Sequence, residues 1–384
     1  MDKPICIGII GAGQLGKMIV QEAKRMSMKA IVLDPEEKSP ASSVADEQII
    51  ADFKDETAIR ELANRCDLLT YEIELANSAV LKELESNKYP VHPSPETLRI
   101  IQNKHRQKLF LTENKLSTPN FSLVESKDQL HKLCADYGFP VMLKACEDSY
   151  DGRGNFLISS KDQISEAFSY FKGKECFLEQ FIPFQKELSV MVARNLSGQI
   201  EAFPIAENIH KDNILDLTIV PARVPDQVKM ATNLLAEKTV QSLEGCGIFG
   251  IEMFLTEDGE VLVNEIAPRP HNSGHYSLEA CSISQFEQHL RAVMNLPLSK
   301  PRLLTSAVMV NILGPDSFEG PYKIKGLNKI FSVPGLKLYI YGKKFSKPRR
   351  KLGHMTITSE TTNEALSRAE EARSFLQVLY SSVR

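Results

Sequence analysis

No two of the seven cysteines form a C-x-x-C pair: Cys6, Cys66, Cys134, Cys146, Cys176, Cys246 and Cys281 all stand alone. An odd set of isolated thiols argues against a disulfide scaffold or a zinc site and fits a reducing, cytoplasmic compartment. Positive charge is not in excess either. Lys and Arg number 46 against 49 Asp and Glu, a net charge of −3, which excludes a general nucleic-acid binder with its basic face. No apolar run approaches the ~20 residues that span a bilayer. The opening Met1-Asp2-Lys3-Pro4, followed by a short apolar run broken by glycine, lacks the pattern of a signal peptide. Internal repeats and low-complexity segments are missing too. What is present, 384 residues that are 42% hydrophobic and 25% charged, is the profile of a soluble globular enzyme with room for two or three domains.

The most informative stretch runs from Gly250 to Tyr276. Two runs of alternating β-formers, Ile251–Leu255 and Val261–Ile266, flank Asp258-Gly259, which predicts a hairpin closed by a two-residue type I′ turn. That turn sets Glu252 opposite Glu265, on one face with Phe254 and Val263. Paired carboxylates repel across a sheet, and a hard cation bridging them removes the penalty. Mg²⁺ is commonly held by one or two carboxylates plus substrate phosphates. Arg269-Pro270-His271-Asn272-Ser273-Gly274-His275 follows directly, a dense set of anion-binding groups that two prolines keep from being helical. A metal-phosphate site with a second anionic ligand beside it is the reading these residues support.

Upstream, Ile5–Ile10 reads as a buried parallel strand, Gly11-Ala12-Gly13-Gln14-Leu15-Gly16 as a G-x-G-x-x-G turn, and Leu15–Arg25 as an amphipathic helix. A second strand, Ala30–Leu33, ends at Asp34, where a dinucleotide site has its ribose-binding acid. The glycines predict a phosphate site at a helix N-terminus; nicotinamide is one ligand among several, and a plain tight turn is the alternative. Strand Leu68–Tyr71 ends in Glu72 and Glu74. Pro93-Ser94-Pro95 marks a boundary, and one long basic helix, Glu96–Asn114, is expected to carry Lys104 and Lys108. Lys144 lies in the apolar strand Val141–Ala145, where an ammonium needs an anionic partner. Ser149–Asn155 is a flexible glycine loop able to close over phosphates, with Arg153 as a fixed charge. Glu179, Glu187 and His210 fall on further strands. The tail carries the basic cluster Lys343, Lys344, Lys347, Arg349, Arg350 and Lys351, of which one or two could reach an anionic substrate across a cleft. The expected domains are 1–95, 96–298 and 299–384.

With those residues in view, the chain resembles the ATP-grasp ligases and, among them, the 5-(carboxyamino)imidazole ribonucleotide synthase family. The resemblance rests on GAGQLG (Gly11–Gly16), VLDP (Val32–Pro35), YDGRGN (Tyr150–Asn155), NEIAPRPHNSGHY (Asn264–Tyr276), SQFEQH (Ser284–His289) and YGK…RRKLGH (Tyr341–His354). It implies an α/β and α+β fold: an N-terminal Rossmann-like pre-ATP-grasp domain, an ATP-grasp domain and a small C-terminal β-rich domain. It also implies carboxylation of aminoimidazole ribonucleotide by bicarbonate at the expense of ATP, through carboxyphosphate, with ATP and Mg²⁺ as cofactors. By matching motif positions, the resemblance gives ATP to Lys104, Lys144, Tyr150, Asp151, Gly152, Arg153, Gly154, Asn155, Glu179, Gln180, Phe181, Ile182, Glu187 and His210, with Asn264 close by. Glu252 and Glu265 take the metal. The ribonucleotide and carboxyphosphate go to Arg269, His271, Asn272, Ser273 and Lys343, with Gln14, Leu15, Glu74 and Arg350 as further contacts. Tyr150, Asp151 and Arg153 would cover the intermediate. A homodimer and a separate mutase acting on the product are the partners implied. Competing readings are a formate-using glycinamide ribonucleotide transformylase, an NAD-dependent dehydrogenase resting on GAGQLG with Asp34, and an inactive scaffold.

Overall fold

The computed structural model describes residues 4–147, 154–171 and 173–382. Cys6–Ile10, Lys29–Leu33, Glu47–Ile49 and Leu68–Tyr71 form a four-stranded parallel sheet with Cys6–Ile10 and Lys29–Leu33 at its centre. Almost every residue of the two central strands and of Leu68–Tyr71 is buried, as expected of parallel strands covered on both faces. The GxGxxG turn links the first strand to the helix Gln14–Arg25. Gly11 needs its freedom: its φ is +95°, and a Cβ there would meet Glu72 Cγ at 2.7 Å.

A second four-stranded sheet is antiparallel, in the order Phe121–Val124, Cys176–Gln180, Val141–Ala145, Asn155–Ile158. The largest sheet has nine strands and begins Val261–Ala267, Gly247–Thr256, Phe184–Arg194, Ala206–Lys211, Ile214–Val220. Of the C-terminal strands, expected as a module of their own, three continue this sheet, while Tyr322–Lys325 and Gln377–Tyr380 pair with each other in a separate two-stranded sheet. Ser306–Leu313 pairs with Ile214–Val220 (Leu217 opposite Val310), and Lys351–Ser359 and Leu336–Ile340 follow. The tail is thereby hydrogen-bonded to the same β-surface that carries the hairpin. Among the described residues no helix is long and apolar enough to cross a membrane.

Two local departures from the sequence reading shape the site. The long helix expected over 96–114 is two helices, Pro95–Gln102 and Lys104–Glu113, broken at Asn103. Asn103 has φ −109° and ψ 110°, and its side chain accepts from the Arg106 amide, capping the second helix. The break puts Lys104 at the start of a helix turned toward the large sheet, with Lys108 one turn on. The hairpin differs as well. Thr256 N–H donates to Glu260 O at 2.9 Å, so the loop is Glu257-Asp258-Gly259, one residue longer than expected, with Gly259 at φ +84°. A bulge at Asn264 then takes up the extra residue, so Phe254 opposes Leu262 and Met253 opposes Val263, while Glu252 still opposes Glu265. Val263 is therefore not beside the acids but fully buried in the core behind them, with Ile251, Met253 and Leu255.

Candidate active site

The bulge has a chemical consequence. Strict alternation would send either Asn264 or Glu265 into the core, yet both are half-buried on the outer face, with Glu252 across from them. Lys104 Nζ lies 3.0 Å from Glu265 Oε2. Burial alone would raise the Glu265 carboxyl, but Lys104, Lys144 and Lys108 bring it below its ordinary value. At Glu252, His210 and Lys351 act in the same lowering direction but do not outweigh burial. Burial, with Glu265 and Glu187 adding to it against His210, pushes it up to about 7. The two facing carboxyls are thus pushed in opposite directions, Glu265 down and Glu252 up.

Behind the pair, Lys108 Nζ sits 2.7 Å from Glu179 Oε2, and Lys144 bonds the other oxygen. Glu179 and Lys108 are both buried. Burial works against the Glu179 carboxylate, yet the two ammoniums bring it down to about 2, while burial lowers Lys108 to about 8. The anionic partner demanded by Lys144 is therefore Glu179. Gln180 ends that strand, its Oε1 accepting from Asn120 Nδ2 at 3.0 Å. Phe181 and Ile182 form the half-buried link to the next strand. Across the hairpin, His210 bonds Glu187, and Phe184 stacks on Phe254 at 4.8 Å. Asn155 opens the strand opposite Lys144, and Gly154 has φ +84°. Tyr150, Asp151, Gly152 and Arg153 lie outside the described residues.

A second charged cluster faces the parallel sheet. Arg269 Nη2 is 2.7 Å from Glu74 Oε1, so the loop after Leu68–Tyr71 meets the segment after the hairpin. Glu72 is buried, accepts from Gly13 N–H at 2.6 Å, and is raised to about 7 by burial. Asp34 accepts from Ala12 N–H at 2.8 Å. The amides that a dinucleotide reading would give to a pyrophosphate are thus already bonded to the chain's own carboxylates, and a Cβ at Gly13 would meet Glu72 Oε1 at 2.8 Å. The nicotinamide reading loses its site. Gln14 opens the following helix; the Leu15 side chain is in the core, so only its amide can reach a ligand. From the C-terminal segment, Arg350 Nη2 lies 3.1 Å from Glu36 Oε2. Lys343, half-buried and close to Arg350, is lowered to about 8 by partial desolvation and then by Arg350.

His271 stands between the clusters. Burial and then Arg269 hold it well below its ordinary pKa, so it is neutral, and its 3.6 Å approach to Glu252 is no ion pair. Its Nδ1 lies 2.8 Å from Ser273 Oγ. Ser273 is fully buried, and Asn272 donates to Asn311 Oδ1 at 3.0 Å. Ser273 Oγ thus supports His271, while the buried Oδ1 of Asn272 has no hydrogen-bond partner among the described residues.

Sequence reading overlooked Glu72 and Lys108 as members of the site and left Lys351 unassigned within its basic run. Lys351 opens the strand Lys351–Ser359 and is close enough to Glu252 and His271 to perturb both. Asn103 was the available signal for Lys108, since an Asn inside a helical pattern can cap a new helix. No local signal marks Lys351, which arrives through strand pairing far along the chain.

The arrangement places cationic side chains in two clusters, Lys104, Lys108 and Lys144 in one and Arg269, Lys343 and Arg350 in the other. Among the described residues no cluster of three or more His, Cys, Asp and Glu could hold a metal. Residues 5–102 match the ribonucleotide synthetase preATP-grasp domain, 109–286 the ATP-grasp domain, and 307–368 the phosphoribosylaminoimidazole carboxylase C-terminal domain. The chain is 43% identical over 373 residues to the phosphoribosylaminoimidazole carboxylase of Saccharomyces cerevisiae, covering 94% of itself but only 65% of that relative's length. It is 44% identical over 361 residues to the N5-carboxyaminoimidazole ribonucleotide synthase of Bacillus subtilis, covering 93% of itself and 92% of the relative. A crystal structure of N5-carboxyaminoimidazole synthase from Aspergillus clavatus, in complex with ADP and 5-aminoimidazole ribonucleotide, superposes with a TM-score of 0.89 at 34% identity, over 97% of this chain and 99% of that one.

Proposed function

Because the chain belongs to the N5-carboxyaminoimidazole ribonucleotide synthase family of ATP-grasp ligases, we propose that it carboxylates 5-aminoimidazole ribonucleotide with bicarbonate, forming the N5-carbamate, ADP and phosphate. The observation that carries this reading is the facing of two charged clusters. Glu252 and Glu265 with Lys104, Lys144 and Lys108 suit a triphosphate. Arg269, His271 and Lys343 beside Glu72 and Glu74 suit a second anion and a sugar. A lone nucleotide hydrolase needs only the first.

In this reading Lys104, Lys144, Asn155, Gln180–Ile182, Glu187 and His210 hold ATP. Glu252 and Glu265, with Asn264 beside them, hold Mg²⁺, which when bound neutralises charge on the transferring phosphoryl group. Phosphoryl transfer asks the protein for positioning and electrostatics more than covalent help. Lys104 and Lys144 hold the phosphates in line, and Arg269 and neutral His271 fix bicarbonate for attack on the γ-phosphorus. Carboxyphosphate forms, and the ribonucleotide amine takes its carboxyl group, directly or as released CO₂. Glu74, Lys343, Arg350 and the amides of Gln14 and Leu15 hold the ribonucleotide. Tyr150, Asp151 and Arg153 are assigned to covering the intermediate, which water would otherwise destroy. A second copy of the chain and a mutase acting on the product are the proposed macromolecular partners. The test is ADP release with [¹³C]bicarbonate. Turnover and a carbamate signal should require aminoimidazole ribonucleotide; turnover with glycinamide ribonucleotide and formate instead would overturn the assignment.

Lys343 predicts a pH dependence. Its ammonium, lowered to about 8, is charged below that pH and lost above it. The kcat/KM for the ribonucleotide, which reports the free enzyme, should therefore fall about tenfold per unit above pH 8. Lys343→Arg should remove that limb, because a guanidinium stays charged. An unchanged limb in the variant would assign the titration elsewhere.

A further inference from the structure

His271 is placed by one buried side chain on another helix. Gln285 is fully buried at the start of the helix Gln285–Val293. Its Oε1 accepts from the His271 amide at 2.9 Å and its Nε2 donates to the His271 carbonyl at 2.8 Å. Both main-chain polar groups of one residue are thereby taken by one side-chain amide. The remaining Nε2 proton points at His275 Nδ1, 3.1 Å away, which burial and His354 keep neutral and able to accept. With each polar end matched to its partner, the amide has a single orientation.

The surroundings leave the amide no freedom. A Cβ on Gly274 would meet Gln285 Oε1 at 2.4 Å, so that glycine is the space Gln285 occupies. Its own amide donates to Ser277 Oγ at 2.9 Å, which in turn donates to the Gly274 carbonyl at 2.6 Å. On the other side of His271, a Cβ on Gly250 would lie 2.7 Å from His271 Cβ. The imidazole is therefore set between a bare stretch of hairpin backbone and the Gln285 clamp. The clamp's helix is itself fixed to the N-terminal part of the chain. Arg25 bonds Glu287, and Ser284 Oγ reaches Glu22 Oε1 at 3.3 Å, both partners lying on the helix that starts at the glycine turn. The GxGxxG turn and His271 thus share one mount.

We propose that Gln285 is a positioning residue for the carboxylation step: it fixes His271, and through it the bicarbonate subsite, relative to the ribonucleotide subsite at the glycine turn. This rests on the role given to His271 above. Gln285 is fully buried, so the effect proposed for it on the reaction is routed through His271.

The test is a double-mutant cycle on the full chain. His271→Ala, Gln285→Met and the double variant are compared by ribonucleotide-dependent kcat/KM, by ADP affinity in the absence of other substrates, and by melting temperature. A misplacement of ~1 Å costs about 10²-fold, and that loss is expected for Gln285→Met, with ADP affinity held within about threefold. The double variant should be no slower than His271→Ala, because the clamp has nothing left to position. Losses that multiply in the double variant, or ADP affinity and melting temperature that fall in step with rate, would overturn the proposal. An inactive His271→Ala beside a fully active Gln285→Met overturns it while sparing the reading of His271. A fully active His271→Ala overturns both. Should Gln285→Met not fold, Gly250→Ala presses on the same imidazole without removing a polar group, and the same cycle with His271→Ala applies.

Discussion

Glu265→Gln should lower ADP formation about 10³-fold or more while leaving the fold intact, since the carboxylate serves a cation rather than the core. Glu265 is half-buried at the mouth of the hairpin, and its partner Lys104 keeps 17% of its side chain exposed. Losing that contact therefore leaves an ammonium that water can still reach. The amide matches the carboxylate in shape but not in charge, so nucleotide binding held by Lys104 and Lys144 should weaken far less than turnover. The assay is ADP release at saturating ATP, with circular dichroism as the control for folding. Turnover close to that of the parent would remove Glu265 from the metal site.

Glu179→Gln should do the opposite kind of damage. Glu179 and Lys108 each leave only 3% of the side chain exposed, and the acid neutralises both Lys108 and Lys144. Breaking a buried pair from one side costs about 3–5 kcal/mol because the other charge is left uncompensated. A fall in melting temperature on the order of 10 °C follows, together with poorer nucleotide binding as Lys144 loses its anchor. The pH dependence has a definite sign. The folded carboxyl lies at about 2 against an ordinary 4.5. Its stabilisation is complete above pH 4.5 and fades as pH falls toward 2. The gap in melting temperature between parent and variant should therefore narrow in acid. A constant gap from neutral pH to pH 3 would mean that Glu179 contributes shape and not charge.

The facing of Glu252 and Glu265 was legible in the sequence for a reason only partly correct. The period-two pattern around Asp258-Gly259 gave the hairpin, and the assumed two-residue turn gave Glu252 opposite Glu265. The real loop is a residue longer, and the bulge at Asn264 cancels the difference. Turn chemistry at Asp-Gly suits both loop lengths, and bulges leave no clear local mark. Lys144 was legible because a lysine in an apolar strand demands an anion, though not which one. Glu179 became its partner through pairing of adjacent strands, Met142 opposite Glu179 and Lys144 opposite Phe177. The helix break at Asn103 was hidden by good helix formers on both sides, so Lys108 read as a solvated residue. The GxGxxG turn shows the opposite limit. Its pattern is real, but whether its amides remain open for a phosphate depends on Asp34 and Glu72, which tertiary structure brings to them. The tail was expected to be β-rich, and its strands Ser306–Leu313, Leu336–Ile340 and Lys351–Ser359 belong to the large sheet. Their joining to the central sheet through Ile214–Val220 is a matter of long-range pairing that no window of sequence contains.

The most direct measurement is an anomalous-difference map from crystals grown with ADP and Mn²⁺ in place of Mg²⁺. A peak bridging the carboxylates of Glu252 and Glu265 and the terminal phosphate of ADP is the expected result. Manganese bound elsewhere in the cleft, away from both acids, would contradict it.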